Sequence, residues 1–575
     1  MNAEQLLQHF ERVSEAPDAI PRLRRFILNL AVRGKLVEQD PSDEPASELL
    51  KRIAEEKARL VKIGDIRKPK KFPGMEDVPF GLPKNWLWSR IREVTSDRGQ
   101  EIPQSRFTYI DVTAIDKAAG VVADPKILEA SEAPSRARKI TKKGDVIYSC
   151  VRPYLLNVAI IDKEYKPEPI ASTAFAILNG HGHVMPRYLW IVLRSTFMVE
   201  CVEENQRGQS YPAINDADFA LLPFPLPPLA EQHRIVERVD ELMSLCDQLD
   251  AAKVERERCR DSLVAASLQR LNQPAEEEET FREHARFTFN NLPHITSRAT
   301  HIKQLRQTIL NLAVRGKLVP QDPSDEPAAE LLKRIAAEKD RLVKAGEIPR
   351  KQPAVRDLSR DIECLPESWE LIALGEVCNM VTSGSRGWAE FYATTGAGFI
   401  RAQNIRFGQL KLDDLACVNL PQNSEGSRTK VEMGDLLMVI TGAGVTNPAT
   451  LDQDIGEAYV SQHVGLMRPT RKELSDWLLL CLMSPSGGRN ELTERAYGAG
   501  KPGLNLDNLR SLTVPLPPLA EQHRIVAKVD ELMAICDQLE AQITVTEQDS
   551  RRFLESVLAD ALAPGIDLSA EAKVA

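Results

Sequence analysis

The sequence predicts a mixed α/β protein that is built twice on one plan. Three observations support this: two helix-forming segments each recur almost unchanged, and the stretches between them are rich in β-forming residues. The first segment, NLAVRGKLVEQDPSDEPASELLKRIAEEKARLVK at 29–62, returns at 311–344 with only four of 34 positions changed. The second, PLPPLAEQHRIVERVDELMSLCDQLD at 225–250, returns at 515–540 as PLPPLAEQHRIVAKVDELMAICDQLE. The order along the chain is therefore constant, variable, constant, variable.

The first repeated segment predicts two helices joined by a turn. Gly34 marks the end of the first helix, since glycine is typical of helix C-termini. The residues QDPSDEP then supply a turn and a helix start, in which Pro45 suits the first helical turn. Apolar residues follow at helical spacing from Leu49 to Leu60.

The two inserts contain short stretches of β-forming residues. These are GDVIYSCV and NVAIID in the first insert and GDLLMVIT and FIRAQNI in the second. Turn residues separate them at a spacing typical of strands, which predicts a mixed α/β domain with twisted sheets. Each insert ends in a glycine-containing loop, NQRGQSYPAIN or YGAGKPGLN, shortly before PLPPL.

The prolines of PLPPL exclude a helix, and LAEQHRIV begins a long one. Apolar residues from Ile235 to Leu249 alternate by four and three positions, and the second copy repeats this stripe. Two interpretations remain open. Pairing of long helices in a coiled coil is favoured because the stripe occurs twice, and an amphipathic helix docked on a core is the alternative. An unbroken helix over 229–272 would be about 66 Å long, at about 1.5 Å per residue.

These features divide the chain into eight segments. They are an N-terminal helical region with a linker at 1–83, a first insert at 84–224, a central helix at 225–272, a polar linker at 273–300, a repeated helical region with a linker at 301–365, a second insert at 366–514, a C-terminal helix at 515–562 and a tail at 563–575.

The composition argues against several classes of protein. The sequence has no apolar run long enough to span a membrane, and its start lacks the basic and apolar regions of a secretory signal. Nine cysteines without a C-x-x-C pair argue against a disulfide framework or a zinc finger and favour the cytoplasm. The net charge of −9 gives no overall basic character, so charge alone does not indicate DNA binding.

No catalytic motif emerges from the sequence. GAGKPG fails as a phosphate loop, because Arg495 stands at the position of the first glycine and Pro502 follows Lys501 in place of Ser or Thr. The spacing of His181 and His183 within a loop favours a solvated turn over a metal pair. We expect that any chemistry is performed by partner proteins.

The repeated segments carry a resemblance to a known family. Two variable domains, each closed by PLPPLAEQHRIV…VDEL…CD-L and combined with NLAVRGKLV, resemble the specificity subunit of type I restriction–modification enzymes. KGDVIYSCVRPYLLNVAI and MGDLLMVITGAGVTN are similar to phrases in the target recognition domains of that family. The NLAVRGKLV…DEPA-ELL repeat is typical of a longer subgroup.

The resemblance implies an architecture and a division of labour. Two target recognition domains of mixed α/β fold would be separated by long conserved helices that form an antiparallel coiled-coil spacer, in a pseudo-twofold repeat. Each domain would read one half of a bipartite double-stranded DNA target. Two modification subunits would supply S-adenosylmethionine-dependent adenine-N6 methylation, and two restriction subunits would supply cleavage with ATP and Mg. The chain itself would be non-catalytic and bind no cofactor.

Candidate DNA-binding residues follow from the chemistry of base readout. Arginine can bind guanine with two hydrogen bonds, and asparagine or glutamine can bind adenine in the same way. Loops on a rigid sheet are the expected place for such residues. In the first insert the candidates are Arg98, Gln100, Arg106, Arg136, Arg152, Tyr154, Gln206, Arg207 and Gln209. In the second insert they are Ser385, Arg386, Arg401, Gln403, Asn404, Arg406, Thr441, Asn447 and Lys501.

Two other functions remain as alternatives. The first is a coiled-coil adaptor whose inserts bind partners other than DNA, which the acidic balance of charge favours. The second is an enzyme with duplicated domains, which the lack of any catalytic motif disfavours. Salt-dependent binding to duplex DNA in the presence of a modification subunit would distinguish the predicted function from both alternatives.

Overall fold

The structure is a computed structural model, and its chain divides into two units. It describes residues 16–66, 78–208, 211–273, 278–349, 365–384, 386–421, 427–498 and 502–562. The first unit comprises Met1–Glu255 with Thr546–Ala575, and the second comprises Arg256–Val545. Each unit contains one copy of the repeated helices and one insert. No helix among the described residues is long and apolar enough to cross a membrane.

Fifteen α-helices are present in the described part of the chain. They are α1 Ala19–Val32, α2 Ala46–Lys62, α3 Ile91–Val94, α4 Pro186–Arg194, α5 Thr196–Asn205, α6 Asp216–Ala220, α7 Leu229–Asn272, α8 Glu278–Ile295, α9 Ala299–Val314, α10 Ala328–Lys344, α11 Leu374–Val377, α12 Ser475–Met483, α13 Asn490–Arg495, α14 Leu506–Arg510 and α15 Leu519–Leu562.

The first insert contains eleven of the described strands. They are β1 Leu87–Arg90, β2 Phe107–Ile110, β3 Ile115–Asp116, β4 Val121–Val122, β5 Lys126–Leu128, β6 Ala137–Ile140, β7 Val146–Ser149, β8 Val158–Ile160, β9 Pro169–Ser172, β10 Phe175–Leu178 and β11 Pro223–Leu226. One sheet has the order β10-β7-β8-β4-β3 and another the order β5-β2-β9-β6.

The second insert contains twelve described strands. They are β12 Glu370–Ala373, β13 Cys378–Ser383, β14 Tyr392–Ala393, β15 Ala397–Ile400, β16 Ile405–Arg406, β17 Gln409–Leu410, β18 Ala416–Val418, β19 Leu436–Val439, β20 Pro448–Thr450, β21 Ala458–Val460, β22 Val464–Pro469 and β23 Thr513–Leu516. The sheets have the orders β13-β22-β19-β20 and β14-β18-β15-β21.

The two inserts share a sheet plan although their sequences differ. In the first insert β2 runs parallel to β9, and in the second β15 runs parallel to β21. The strand that follows GD pairs with the first and the third of the strands after it in both inserts, as β7 with β8 and β10 and as β19 with β20 and β22. The predicted mixed α/β fold, with two sheet-rich domains separated in the chain by a long helix, is therefore confirmed.

A two-stranded antiparallel ribbon joins the two ends of each insert. β1 pairs with β11 in the first insert, and β12 pairs with β23 in the second. Beside the ribbon, the buried Glu231 accepts hydrogen bonds from Trp86 Nε1 at 2.8 Å and Gln39 Nε2 at 2.5 Å. Glu521 accepts the same two bonds from Trp369 and Gln321. Burial raises the pKa of both glutamates above their usual value.

The apolar stripes of the two long helices lie in the cores of their own units. Ile235 and Val239 are fully buried in one cluster with residues of α1, and Ile525 is fully buried in a cluster with residues of α9. Each cluster also contains residues of the other long helix, namely Leu554 and Val557 of α15 in the first and Val264 and Leu268 of α7 in the second. Each stripe is therefore docked on the core of its unit and shares that core with the end of the other long helix.

The far end of each long helix packs in the other unit. Leu554 and Val557 of α15 are buried in the core of the first unit, and Val264 and Leu268 of α7 are buried in the core of the second. Between Leu249 and Val264 no side chain is buried, and the stretch 540–553 is equally exposed. The division between the units falls inside these two exposed stretches, after Glu255 and after Val545.

The segment predicted as a polar linker at 273–300 is largely helical. Helix α8 spans Glu278–Ile295, and both Leu292 and Ile295 are buried in the core of the second unit. The run of glutamates at 276–279 gave the segment the composition of a linker, although Phe281, Phe287 and Phe289 precede the two buried residues. The predicted N-terminal residues 1–15, the linker residues 67–77 and the tail 563–575 lie outside the described residues.

Candidate nucleic-acid interface

Two loops of the first insert meet where β7 ends. The backbone N–H of Arg152 donates to the carbonyl of Pro212 at 2.8 Å, and that of Ile214 donates to the carbonyl of Cys150 at 3.0 Å. Arg207 and Ala213 exchange two backbone hydrogen bonds of 2.8 and 2.9 Å. The loop after β7 and the glycine-containing loop before α6 therefore form one surface.

The second insert repeats this arrangement with different side chains. The N–H of Gly442 donates to the carbonyl of Pro502 at 3.0 Å, and that of Leu504 donates to the carbonyl of Ile440 at 2.8 Å. Tyr497 and Gly503 exchange two backbone hydrogen bonds of 3.0 and 2.8 Å. Because these bonds match those of the first insert one by one, the described ends of RGQSYPAIN (207–208 and 212–215) are structurally equivalent to those of YGAGKPGLN (497–498 and 502–505).

The end of a third loop joins this surface in both inserts. The N–H of Cys150 donates to the carbonyl of Ala174 at 2.8 Å, and the N–H of Ile440 donates to the carbonyl of His463 at 2.9 Å. In the second insert the N–H of Ser461 also donates to the carbonyl of Ile400, directly before Arg401. The loops at 401–404, 440–447, 461–463 and 502–504 are thereby connected, and we call them the reading edge of the second insert. The reading edge of the first insert comprises residues 150–156, 172–174, 207–208 and 211–214.

Arginines and aromatic rings dominate the reading edge of the first insert. The guanidinium of Arg152 lies 4.6 Å from the centre of the Tyr211 ring, and that ring is 70% exposed. Tyr154 is 49% exposed on the same loop as Arg152. Arg207 is exposed and forms an ion pair with Asp218 at 3.1 Å. Both arginines can reach an anionic or base-edge partner without unfolding the loop.

The structure brings together only some of the candidates of the first insert. Arg136, Arg152, Tyr154, Gln206 and Arg207 lie at the reading edge, since the carbonyl of Arg136 accepts from Thr173 N–H at 2.8 Å. Gln100 is exposed and forms an isolated bridge with Lys139.

Arg98 and Arg106 lie away from the reading edge. Arg106 precedes β2, at the strand end remote from that edge, and is 3.5 Å from Glu129. Arg98 donates to the fully buried carboxylate of Asp145, at the start of β7, at 2.7 Å. Arg468 holds Asp435 of the second insert in the same way at 2.7 Å. The geometry therefore favours an internal ion pair for Arg98 over a base contact.

The candidates of the second insert fall into two groups. Arg401, Gln403 and Thr441 line the reading edge, Arg386 is exposed on a neighbouring loop, and Arg406 is exposed at the end of β16. Gln403 donates to the Asp414 carboxylate at 3.2 Å.

Asn404 is engaged within its own loop, whereas Asn447 is held only through its backbone. Asn404 is 2% exposed, and its amide donates to the carbonyls of Lys411 and Asp414. The carbonyl of Asn447 accepts from Val439 N–H at 3.0 Å, and its half-buried side chain stays a candidate for a base contact. The burial of Asn404 leaves no donor for a base, because its neighbouring carbonyls already occupy the amide. Gln209, Ser385 and Lys501 lie outside the described residues.

Several exposed residues at these edges are absent from the sequence-based set. Tyr211 and Tyr497 are 70% and 64% exposed, and Arg489 lies 4.3 Å from the centre of the Phe407 ring. Aligning the two glycine-containing loops would have paired Tyr211 with Lys501 and Arg207 with Tyr497. That alignment was obscured by the low similarity of the inserts.

The electrostatics of the edges are mixed. Several of the arginines named above have a carboxylate neighbour, such as Asp218 for Arg207 and Asp414 for Arg401. A phosphate would compete with these internal partners, which limits the affinity that each arginine can supply. No group of three or more His, Cys, Asp or Glu side chains in the described ranges could hold a metal ion.

Comparison with known proteins follows the same division of the chain. A family model for the type I restriction modification DNA specificity domain matches residues 107–256 and 366–546, which together exceed half of the chain. The chain belongs to this family. Each matched segment contains one complete reading edge.

Similar proteins of the type I specificity family cover nearly the whole chain. The chain is 32% identical over 564 residues to the specificity subunit of the type I restriction enzyme EcoAI from Escherichia coli, covering 94% of this chain and 93% of that protein. It is 31% identical over 572 residues to the EcoEI specificity subunit from the same organism, with the same coverage. A crystal structure of the HsdS subunit from Thermoanaerobacter tengcongensis aligns over 85% of this chain and 99% of that one, with 26% identity and a TM-score of 0.48.

Membership of the type I specificity family identifies the two inserts as its DNA specificity domains. The repeated backbone frame then has a direct interpretation. Each domain holds its loops with the same hydrogen bonds, and the side chains on those loops differ between the two domains.

Proposed function

We propose that each insert reads one half of a bipartite double-stranded DNA target through its reading edge. The observation that carries this proposal is the shared frame of backbone hydrogen bonds, which presents Arg152, Tyr154 and Tyr211 in one insert and Thr441 and Tyr497 in the other. Loops of variable sequence on a fixed scaffold are the usual place for specificity. Two reading edges with different side chains would recognise two different short DNA sequences, which are the two words of the bipartite target.

The long helices set the distance between the two words in this proposal. Helices α7 and α15 each span 44 residues, which corresponds to about 66 Å at about 1.5 Å per residue. That length exceeds the roughly 34 Å of one turn of DNA, the shortest spacing between two readers that approach from one side. A fixed helix length would explain a spacer of fixed length and arbitrary sequence.

The repeated helices also provide two equivalent surfaces for identical partners. Several residues of α2 and the loop before it are exposed and identical in both copies. Because exposed side chains make no core contacts, packing alone does not account for this identity. They are Lys35, Asp40, Ser42, Glu44, Glu48, Lys51, Arg52 and Arg59, with Lys317, Asp322, Ser324, Glu326, Glu330, Lys333, Arg334 and Arg341 as counterparts. Their surface ion pairs, such as Glu48–Lys51 at 2.7 Å, contribute little to stability.

Two modification subunits would dock on these two surfaces in the proposal. They would supply S-adenosylmethionine and the adenine-N6 methyltransferase activity. Two restriction subunits would add the ATP- and Mg-dependent activities. This chain would then contribute specificity in the cytoplasm and bind no cofactor itself.

A map of N6-methyladenine in cells that contain this chain and its modification partner tests the proposal. We expect one motif with two defined words, a spacer of fixed length and methylation on both strands. The adaptor alternative, favoured by the acidic net charge of −9, predicts no methylated motif and no salt-dependent binding of duplex DNA. A methylated motif with a single continuous word would also contradict the proposal.

A further inference from the structure

A cavity of about 330 Å³ opens at the reading edge of the second insert. Its walls include three aromatic residues and three polar ones. They are Trp388, Tyr392, Phe399, Arg401, Ser461 and His463. Since the carbonyl of His463 accepts from Ile440 N–H at 2.9 Å, the cavity adjoins the loop that carries Thr441.

The aromatic walls suit a flat ring. Trp388 and Phe399 stack with their centres 5.6 Å apart and their planes 30° from parallel. Tyr392 meets Phe399 edge to face at 5.7 Å and is itself 47% exposed. Tyr392 therefore presents an accessible ring beside Phe399, which itself stacks on Trp388.

Two polar atoms in the walls have unused hydrogen-bonding capacity. Ser461 is 7% exposed, and its Oγ has no hydrogen-bond partner among the described residues. The buried Nε of Arg401 likewise lacks a partner within the described ranges. Buried polar groups are normally satisfied, so an occupant that bonds to both atoms would remove an unfavourable term.

The charge around the cavity disfavours a phosphate. Arg401 is the one arginine in the wall, and its Nη2 already donates to the carbonyl of Asp414 at 3.1 Å and lies 3.5 Å from the Asp414 carboxylate. No lysine is among the described residues that line the cavity. A neutral planar ring with an acceptor for the Arg401 N–H matches these walls better than an anion.

The equivalent positions of the first insert have different chemistry. The parallel strands align Ile110 with Ile400, so that Asp111 stands at the position of Arg401. By the same register Ser172 corresponds to Ser461, and the Ser172 hydroxyl accepts from Ala174 N–H at 3.3 Å. The unsatisfied pair of donors is therefore a feature of the second insert.

We propose that this cavity binds one neutral nucleobase, with Tyr392 stacking on the ring and with Ser461 and Arg401 bonding to its edge. We favour a base that is unstacked from the second word of the DNA target as the occupant, so the inference rests on the proposed function. A free nucleoside offers the same ring and is the other possible source of the nucleobase. Enzymes that bind extruded bases use the same combination of stacking and edge hydrogen bonds.

Binding to mismatched duplexes tests whether the bound nucleobase comes from the DNA target. Binding of the full chain with its modification subunit is measured on duplexes that carry a mismatch at each position of the target in turn. A mismatch lowers the cost of unpairing, so one position of the second word should bind about 10-fold tighter or more when mismatched. Tyr392→Leu and Ser461→Val should each abolish that gain, and Tyr392→Leu should weaken binding of the matched target by about 5- to 150-fold. Phe287→Ala, which removes an aromatic residue that is 51% exposed on α8, should leave both measurements unchanged.

Equilibrium dialysis against the four common nucleosides tests the other source. The wild type and Phe287→Ala should then bind a nucleoside that Tyr392→Leu and Ser461→Val do not bind. This result would support the cavity as a nucleobase site even if the mismatch profile were flat. A flat profile together with no nucleoside binding would overturn the inference. If the wild type bound no duplex but still bound a nucleoside, the proposed function would be contradicted and the nucleobase site would still be supported. The two failures are therefore distinguishable.

Discussion

Lys57 and Lys339 occupy equivalent positions on the two repeated helices, and each holds the start of an insert. Lys57 is 7% exposed, and its Nζ donates to the carbonyls of Arg92, Glu93 and Thr95 at 2.6, 3.2 and 3.0 Å. Lys339 donates in the same way to the carbonyls of Gly375, Glu376 and Cys378. Each lysine therefore satisfies the last carbonyls of a four-residue helix, which would otherwise be buried without partners.

Lys57→Met should destabilise the protein, because it leaves these carbonyls without a donor. We expect a loss of about 1–3 kcal/mol in the free energy of unfolding, measured by urea titration. Lys51→Met on the same helix removes an exposed lysine that pairs with Glu48, and it should change stability by less than about 0.5 kcal/mol. Equal effects of the two substitutions would contradict the role of Lys57.

The same lysine predicts a pH dependence. Burial lowers the pKa of Lys57 from 10.5 to about 8. Since the unfolded chain then binds more protons between these two values, the contribution of Lys57 to stability increases as the pH rises from about 8 towards 10.5 and stays constant at its lower value below about 8. The difference in unfolding free energy between the wild type and Lys57→Met should therefore grow over this range. A constant difference would contradict the lowered pKa.

Arg152 is the residue of the first insert that best fits a contact with a base. Its guanidinium is held over the exposed ring of Tyr211, and it forms no ion pair with a carboxylate among the described residues. Arg152→Ala should relax specificity at one position of one word by about 1–3 kcal/mol. Arg152→Lys should behave similarly, since lysine keeps the charge but loses the forked geometry.

Competition binding with a library of target variants measures this change. Arg270→Ala removes an exposed arginine on α7 and should leave specificity unchanged. Uniform weakening on all sequences would instead identify Arg152 as a phosphate contact, and rescue by lysine would point to the same conclusion.

At the scale of the elements, the exposed stretches of α7 and α15 are where helix length can change without loss of core packing. No side chain is buried between Leu249 and Val264, and 540–553 is equally exposed. The apolar stripe from Ile235 to Cys246 is docked in a core. Residues can therefore be inserted only in the exposed stretch that follows the stripe, not throughout α7.

Adding seven residues within 251–262 and seven within 541–552 should lengthen the spacer. Seven residues preserve the helical phase and add about 10.5 Å, which corresponds to roughly three base pairs. Both words of the target should remain intact in a map of N6-methyladenine. Exchanging the stretches 251–262 and 541–552, which are equal in length, should leave the spacing unchanged. An unchanged spacer in the lengthened chain would contradict the proposed role of the helices.

At the scale of the whole molecule, the repeat defines the domains and the loops define the targets. The repeated segments predicted both long helices, because the prolines of PLPPL and the apolar stripe act locally. The strands after GD were predictable for the same reason, as Val146–Ser149 and Leu436–Val439 are continuous β-forming runs.

The candidate sites were less predictable, because they depend on contacts between residues distant in the sequence. Tyr211 becomes a candidate only when Arg152 stacks on it, and Asn404 ceases to be one only when its loop folds around it. The cavity beside Trp388 requires three loops to meet. No pattern within a single segment indicates such a site.

The central claim is that each insert alone determines one word of the target. Replacing residues 366–514 with a second copy of 84–224 tests it most directly, because matching β-ribbons close both inserts and should accept the exchange. A map of N6-methyladenine is then recorded in cells with the modification partner. The account predicts that the second word is replaced by the first, with the spacer length unchanged. Survival of the original second word in the methylated motif would contradict it.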